Sequence, residues 1–404
     1  MKNKFVVTSI AIAVSSVLSS AAYAAGSAQQ DIQREISQLK MEMEQLKASQ
    51  GKGTAAKNTG PKKTHVEISG HINRAVQYLS DGSDSSVNSV DNDNSATRLR
   101  VIAEKTLNND LMVGGALEVQ LESNSTASIN QNNEESGDGS QSFSDRRAEV
   151  YVRHENLGKL WLGQGWTASD GTAENDLSNT WLASGAYVGG AAGALFRRSD
   201  GVLDTDKIGS LGANLDGLGR TDRIRYDTPF FGGLGFATST TQGGAWDVAA
   251  RYGLTNEDLK LRASLGYADA SGNDDKDWDS TTSGSVAVKL ANGLNGSVSI
   301  SSRSVKAGSA LAAAGADPKH FYTKLGYQTN LVPYGKTSFS VDYRKNQDML
   351  RANDELTGYG IQAVQSIAEY DTDVYFGVNR YERNRAGVDY EPVTVALLGA
   401  RVKF

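Results

Sequence analysis

From Thr64 to Phe404 the chain alternates polar and apolar residues at period two, in runs of about nine to thirteen residues, and no other feature narrows its fold as far. In the first run Val66, Ile68, Gly70, Ile72, Val76 and Tyr78 share one face. His65, Glu67, Ser69, His71, Asn73 and Gln77 share the other, with Arg74 breaking the apolar face. In the next three, Leu99, Val101 and Ala103 oppose Arg98, Arg100 and Glu104; Leu111, Val113, Leu117, Val119 and Leu121 oppose Glu118, Gln120 and Glu122; and Ala148, Val150 and Val152 oppose Arg147, Glu149, Tyr151 and Arg153. Twelve further runs begin near Gly158, Thr221, Gly232, Ala245, Leu259, Ser283, Gly296, His320, Gly335, Leu356, Thr372 and Val393, which brings the total to sixteen. Because pattern places a strand end only to about two to four residues, it also allows fourteen or eighteen.

The connections sort by length. Leu107-Asn-Asn-Asp110 and Thr255-Asn-Glu-Asp258 are tight turns, whereas Ser80–Ser95, Ser123–Ser142, Asp269–Thr282 and Val305–Lys319 are long and polar. Strands of about ten residues joined by alternately short and long loops predict an all-β fold, a 16-stranded antiparallel transmembrane β-barrel. Its apolar face meets lipid, its polar face meets water, and closure leaves no backbone edge unpaired. Composition agrees: the chain has 43 Gly but only 5 Pro, and a closed ladder needs nearly every strand N–H. A mean hydropathy of -0.42 and scattered charge exclude a protein that crosses the membrane with helices. With no Cys and four His, cysteine nucleophiles, thiolate metal sites and disulfides are excluded, and no cofactor is expected.

The N-terminal segment follows other rules. Lys2 and Lys4, an apolar stretch from Phe5 to Val14 and the ending Ala22-Tyr23-Ala24 predict a signal peptide over residues 1–24. In residues 25–50, Ile32, Ile36, Leu39, Met43 and Leu46 keep a seven-residue repeat, with Glu35 and Glu42 at g and Lys40 and Lys47 at e. That spacing predicts a short N-terminal coiled-coil helix in the periplasm that favours parallel association. Residues 51–63 read as a flexible basic linker, leaving 64–404 for the barrel.

Arg223-Ile-Arg-Tyr-Asp-Thr-Pro-Phe-Phe-Gly-Gly233 resembles a strand and turn of the Gram-negative outer-membrane general porins. Thr97-Arg-Leu-Arg100 with Glu104-Lys105, and Asn156-Leu-Gly-Lys-Leu-Trp-Leu-Gly-Gln-Gly165, are similar to two further strands of that family. It usually carries Arg where this chain has Gln164. The ending Arg401-Val-Lys-Phe404 matches the terminal aromatic that the family presents to the barrel assembly machinery. The coiled coil resembles that of a smaller group of trimeric porins with N-terminal helices.

The resemblance implies a homotrimer in the bacterial outer membrane, among lipid and lipopolysaccharide, passing ions and small hydrophilic solutes. It also implies that the loop of about Thr167 to Gly219 folds inward as a constriction loop. This loop carries Asp170, Glu174, Asp176, Asp200, Asp204, Asp206 and Asp216, and few bulky apolar groups beyond Trp181, Leu195 and Phe196. Strand parity sets Arg98, Arg100, Arg147, Arg153, Arg223 and Arg225 on a basic pore wall opposite it. Rings of charge bias ion entry, and the expectation is a weak anion preference.

Other patterns point less far. Asp81–Asn94 and Asn273–Asp279 lack EF-hand spacing and read as solvated external loops. His65 and His71 stand about 20 Å apart along a strand and cannot share a metal. Gly185-Ala-Tyr-Val-Gly-Gly190 lacks a phosphate-loop lysine, and nothing in the chain suits nucleic acid. No serine, histidine and acid set suggests an enzyme. Two alternatives remain open: a channel selective for carboxylates, phosphate or sugars, and a barrel that anchors the coiled coil as an envelope spacer.

Overall fold

The computed structural model describes residues 64–134 and 142–404. The expected signal peptide, coiled coil and linker lie outside the described residues. Among those, nineteen strands follow one another. They are β1 His65–Ser80, β2 Ser85–Asp91, β3 Arg98–Thr106, β4 Leu111–Glu122, β5 Ser142–His154, β6 Gly158–Trp166, β7 Leu195–Arg197, β8 Leu203–Lys207, β9 Arg220–Asp227 and β10 Leu234–Thr241. The remainder are β11 Trp246–Thr255, β12 Leu259–Asp269, β13 Trp278–Leu290, β14 Leu294–Val305, β15 Lys319–Val332, β16 Gly335–Gln347, β17 Asp354–Ile367, β18 Thr372–Arg385 and β19 Val393–Lys403.

Sixteen of these, β1, β3 to β6 and β9 to β19, form one closed antiparallel barrel. Closure comes where β19 meets β1, from His71 opposite Lys403 to Ser80 opposite Thr394. Phe404 finishes that seam by exchanging both backbone hydrogen bonds with Gly70, at 2.9 and 3.1 Å. Gly70 is required there, because a Cβ would lie 2.4 Å from the Arg98 carbonyl oxygen and 2.9 Å from the Phe404 ring. On its other edge β1 divides, pairing β3 through His65–His71 and β2 through Arg74–Ser80. The strand starts fall close to those expected from alternation, the widest difference being Trp278 for Ser283.

Alternation sorts the faces as physics demands. Leu117, Val150, Leu162, Ile224, Leu265, Ile300, Leu325 and Ile361 all project outward and are exposed. Aromatic pairs ring this band near the long-loop ends, with Trp246 and Tyr267 5.8 Å apart and Tyr343 and Tyr359 5.4 Å apart.

The inner face departs from the expectation of a polar lining. Leu79, Leu356, Val364, Tyr375, Tyr381, Val393, Val395 and Leu397 point inward and are buried. They pack against Leu182, Val188, Phe196, Ile208 and Leu211 of the segment between β6 and β9. That loop was expected to hold few bulky apolar groups; instead it brings its own core into the barrel. Each such side chain contributes about 1.5–3 kcal/mol once water is excluded. Inner-wall glycine makes the close fit possible, since a Cβ on Gly377 would stand 2.9 Å from the Ala183 methyl.

Candidate functional site: the constriction of the lumen

Residues 167–219 leave β6, run inside the barrel and return to β9, with the neck closed by Thr167 N–H donating to the Gly219 carbonyl at 3.0 Å. Along the way the loop is tied to successive strands. The Ser169 hydroxyl donates to Asp247 at 2.6 Å, Thr172 bonds Ser283 at 2.7 Å and Thr180 bonds Ser340 at 2.6 Å. Lys324 Nζ bonds Asp176 at 2.7 Å, and Arg344 donates to the carbonyls of Gly185, Ala186 and Gly212. Gln77 Nε2 reaches the Gly190 carbonyl at 3.0 Å. The path therefore hugs the inner wall from β10 round to β1. Small inward serines on β13 and β16 leave room for it and supply a hydroxyl at each step.

The wall left to the pore is β3 to β6 and β9. Glu118, fully buried, gathers Arg98 at 3.6 Å, Arg100 at 2.5 Å and Arg146 at 2.7 Å. Glu149 gathers Arg147 at 2.5 Å and Arg223. Alternation had not selected Arg146. A β-bulge between Glu118 and Val119 inserts this one residue, so Arg146 and Arg147 both turn inward.

Arg223 and Arg225 also fasten the neck: Arg223 Nε donates to the Trp166 carbonyl at 2.9 Å, and Arg225 Nη1 to that of Thr167 at 2.8 Å. Arg251, another residue not singled out from sequence, donates to the carbonyls of Ala168 and Asp170, both at 2.7 Å. Backbone carbonyls thus hold these guanidinium groups at the neck, where Arg225 also pairs with Asp227 at 2.9 Å.

Arg153 stands apart from both clusters. It lines a cavity of about 890 Å³ at the short-turn end, with Lys159, Arg225, Asp227 and Arg251. Lys159 Nζ sits 3.5 Å from the Tyr151 ring centroid and 3.6 Å from that of Trp161, whose indole N–H donates to Asp227 at 2.6 Å. Gln164 pairs with the outward Ala148 and so does not reach the lumen.

The loop acids divide into three groups, only the first of which faces the basic wall. Asp170, Glu174 and Asp216 cluster near Arg220, Arg225 and Arg251. Burial and the neighbouring Asp216 carboxylate raise Asp170 to about 7, with Arg220, Arg225 and Arg251 pulling the other way. Burial and the charges of Asp216 and Asp170 raise Glu174 as well, although its side chain opens on lumen water. Asp176 turns to Lys324 on the opposite wall.

The third group sits on a small hairpin, β7 to β8, that tops the loop. Asp204 and Asp206 both meet Arg383, at 3.2 and 2.7 Å, and Asp206 also meets Arg351 at 2.5 Å. Buried Asp354 completes this cluster 2.6 Å from Arg383, and Arg197 pairs with buried Asp81 at 2.8 Å. Asp200 pairs with exposed Arg198 at 2.6 Å. Alternation could not show this, because the partners are contributed by loops and strands far apart in sequence.

A closed barrel with an apolar outer band and a charged, narrowed lumen is a channel of the bacterial outer membrane. The chain belongs to the Gram-negative porin family, whose model matches residues 10–386. Among solved structures it resembles the anion-selective porin from Comamonas acidovorans, with a TM-score of 0.57, 16% identity, and coverage of 85% of this chain and 100% of that one. It also resembles the in-vitro folded OmpT of Vibrio cholerae in its trimer form, with a TM-score of 0.53, 15% identity, and coverage of 85% and 100%. The loop-L8 deletion mutant of OmpT gives 0.54, 15%, 84% and 99%. A comparison with curated protein sequences returned no match.

Proposed function

We propose that this porin is a passive, trimeric diffusion channel for ions and small hydrophilic solutes, with a weak preference for anions. One observation carries the reading: on the pore wall five guanidinium groups, those of Arg98, Arg100, Arg146, Arg147 and Arg223, share two carboxylates, Glu118 and Glu149. The excess positive charge faces the Asp170, Glu174 and Asp216 cluster, so a field crosses the constriction and the preference for anions is small. An anion-selective porin and a trimeric OmpT among the structural neighbours support the same reading.

Reversal potentials of the reconstituted channel under a KCl gradient test it. Anion preference is expected, and replacing Arg98, Arg100 and Arg146 together by Gln shifts the potential toward cations. A wild-type channel that prefers cations overturns the proposal. The coiled coil of residues 25–50 is proposed to clamp the trimer, which deletion of residues 25–60 tests by the oligomer's resistance to dissociation.

A further inference from the structure

We infer that the constriction loop forms, with β14 and β15, a binding subsite for an uncharged hydroxylated solute the size of a monosaccharide. This subsite is separate from the arginine wall. It is a cavity of about 290 Å³ in which Trp181 and Tyr187 supply aromatic surface, buried Tyr322 lines the back, and Glu174, Asn175 and Ser299 supply polar groups. That volume lies near the roughly 300 Å³ lower bound of small-molecule pockets.

The chemistry selects the solute. A pyranose presents a face of C–H groups that packs on aromatic rings and an edge of hydroxyls that both donate and accept. Trp181 and Tyr187 are 38% and 41% exposed although they lie inside the barrel, so their surface is open to a solute in the lumen. Tyr322 is held in place, donating to Asp342 at 3.0 Å with the Arg344 guanidinium 5.3 Å from its ring. Ser299 is 2% exposed, and among the described residues its hydroxyl has no hydrogen-bond partner, an uncommon condition for a buried polar group. A solute hydroxyl entering the cavity would give it one.

Charge argues against the other occupants. Asp176, also on the rim, is already neutralised by Lys324 at 2.7 Å. Glu174 offers a hydrogen-bonding carboxyl, supported by Asn214 at 2.8 Å, and its shift toward the protonated form gives an anion no cation to pair with. A cation would compete with the Arg220 guanidinium, whose charge already acts on this carboxyl. An aromatic hydrocarbon would leave the buried Ser299 hydroxyl without a partner.

The test uses the full chain in planar bilayers with D-glucose as the probe and a polyethylene glycol of equal hydrodynamic radius as control. Glucose is expected to lower open-channel conductance saturably and to add current noise, while the polymer lowers it only in proportion to viscosity. Trp181→Ala is expected to raise the half-saturating glucose concentration about ten-fold. Ser299→Ala, which leaves the fold's packing almost unchanged, is expected to raise it about three-fold. Glucose behaving like the polymer, or both variants keeping the wild-type half-saturation, overturns the inference. The KCl reversal potential of the same wild-type membranes judges the anion preference independently.

Discussion

The two sides of the lumen use the same alternating strands and hold opposite contents. Along β3 to β6 and β9 the inward positions carry arginines clustered on the buried carboxylates of Glu118 and Glu149, with Arg100 the most open to the lumen. Along β17 to β19 and β1 they carry Leu356, Val364, Tyr375, Val395 and Leu397, packed on a folded loop as tightly as a soluble core. The difference teaches that alternation in a barrel specifies only which residues leave the lipid. What the inner face meets depends on where the longest loop comes to rest. Here the loop rests on apolar packing along β17 to β19 and β1 and on hydrogen bonds to inward side chains such as Asp247, Ser283, Lys324 and Arg344.

Emptying the barrel is the most severe way to break this contrast. Deletion of most of residues 167–219 removes both the loop core and the acidic cluster, and single-channel conductance is expected to rise several-fold as the lumen widens toward its full diameter. Unchanged conductance would show that the loop does not limit the pore.

A narrower test falls on the packed side. Phe196 is fully buried in the loop core, and Phe196→Ala is expected to destabilise it by about 3–5 kcal/mol through lost burial and the cavity left behind. Thermal melting followed by tryptophan fluorescence should register the loss, and the KCl reversal potential should hold because no charge moves. A large change in selectivity without a change in melting would mean that the two sides are not separable.

The smallest effect sharpens the charged side. Asp170 is raised to about 7, so it is ionised above neutrality and gains a proton as pH falls through that value. Protonation subtracts negative charge opposite the arginines, so anion preference is expected to grow modestly from about pH 8 to about pH 5. Asp170→Asn should show a smaller change over the same range, the remainder belonging to Glu174. A preference that falls with acid would refute the assignment of this cluster to the constriction.

Much of this was legible beforehand because a period of two is a local property. The sixteen strands, the outward apolar set and the inward parity of Arg98, Arg100, Arg147, Arg223 and Arg225 all follow from neighbours within one run. Arg146 was not legible, since a bulge spends one residue without changing the pattern on either side. Arg153 shares the parity of the wall but lies too near the short turns to join either carboxylate. Nor could a composition count anticipate that Asp204 and Asp206 would be bound by Arg351 and Arg383.

By itself, then, the sequence determined that this chain closes into a barrel with one face for lipid, because every strand repeats the choice and lipid accepts no unpaired backbone. Only the tertiary structure decided which side of the lumen the loop fills. That choice rests on contacts between a loop and strands more than one hundred residues away, such as Arg344 with Gly185, and such contacts leave no periodic trace in the chain.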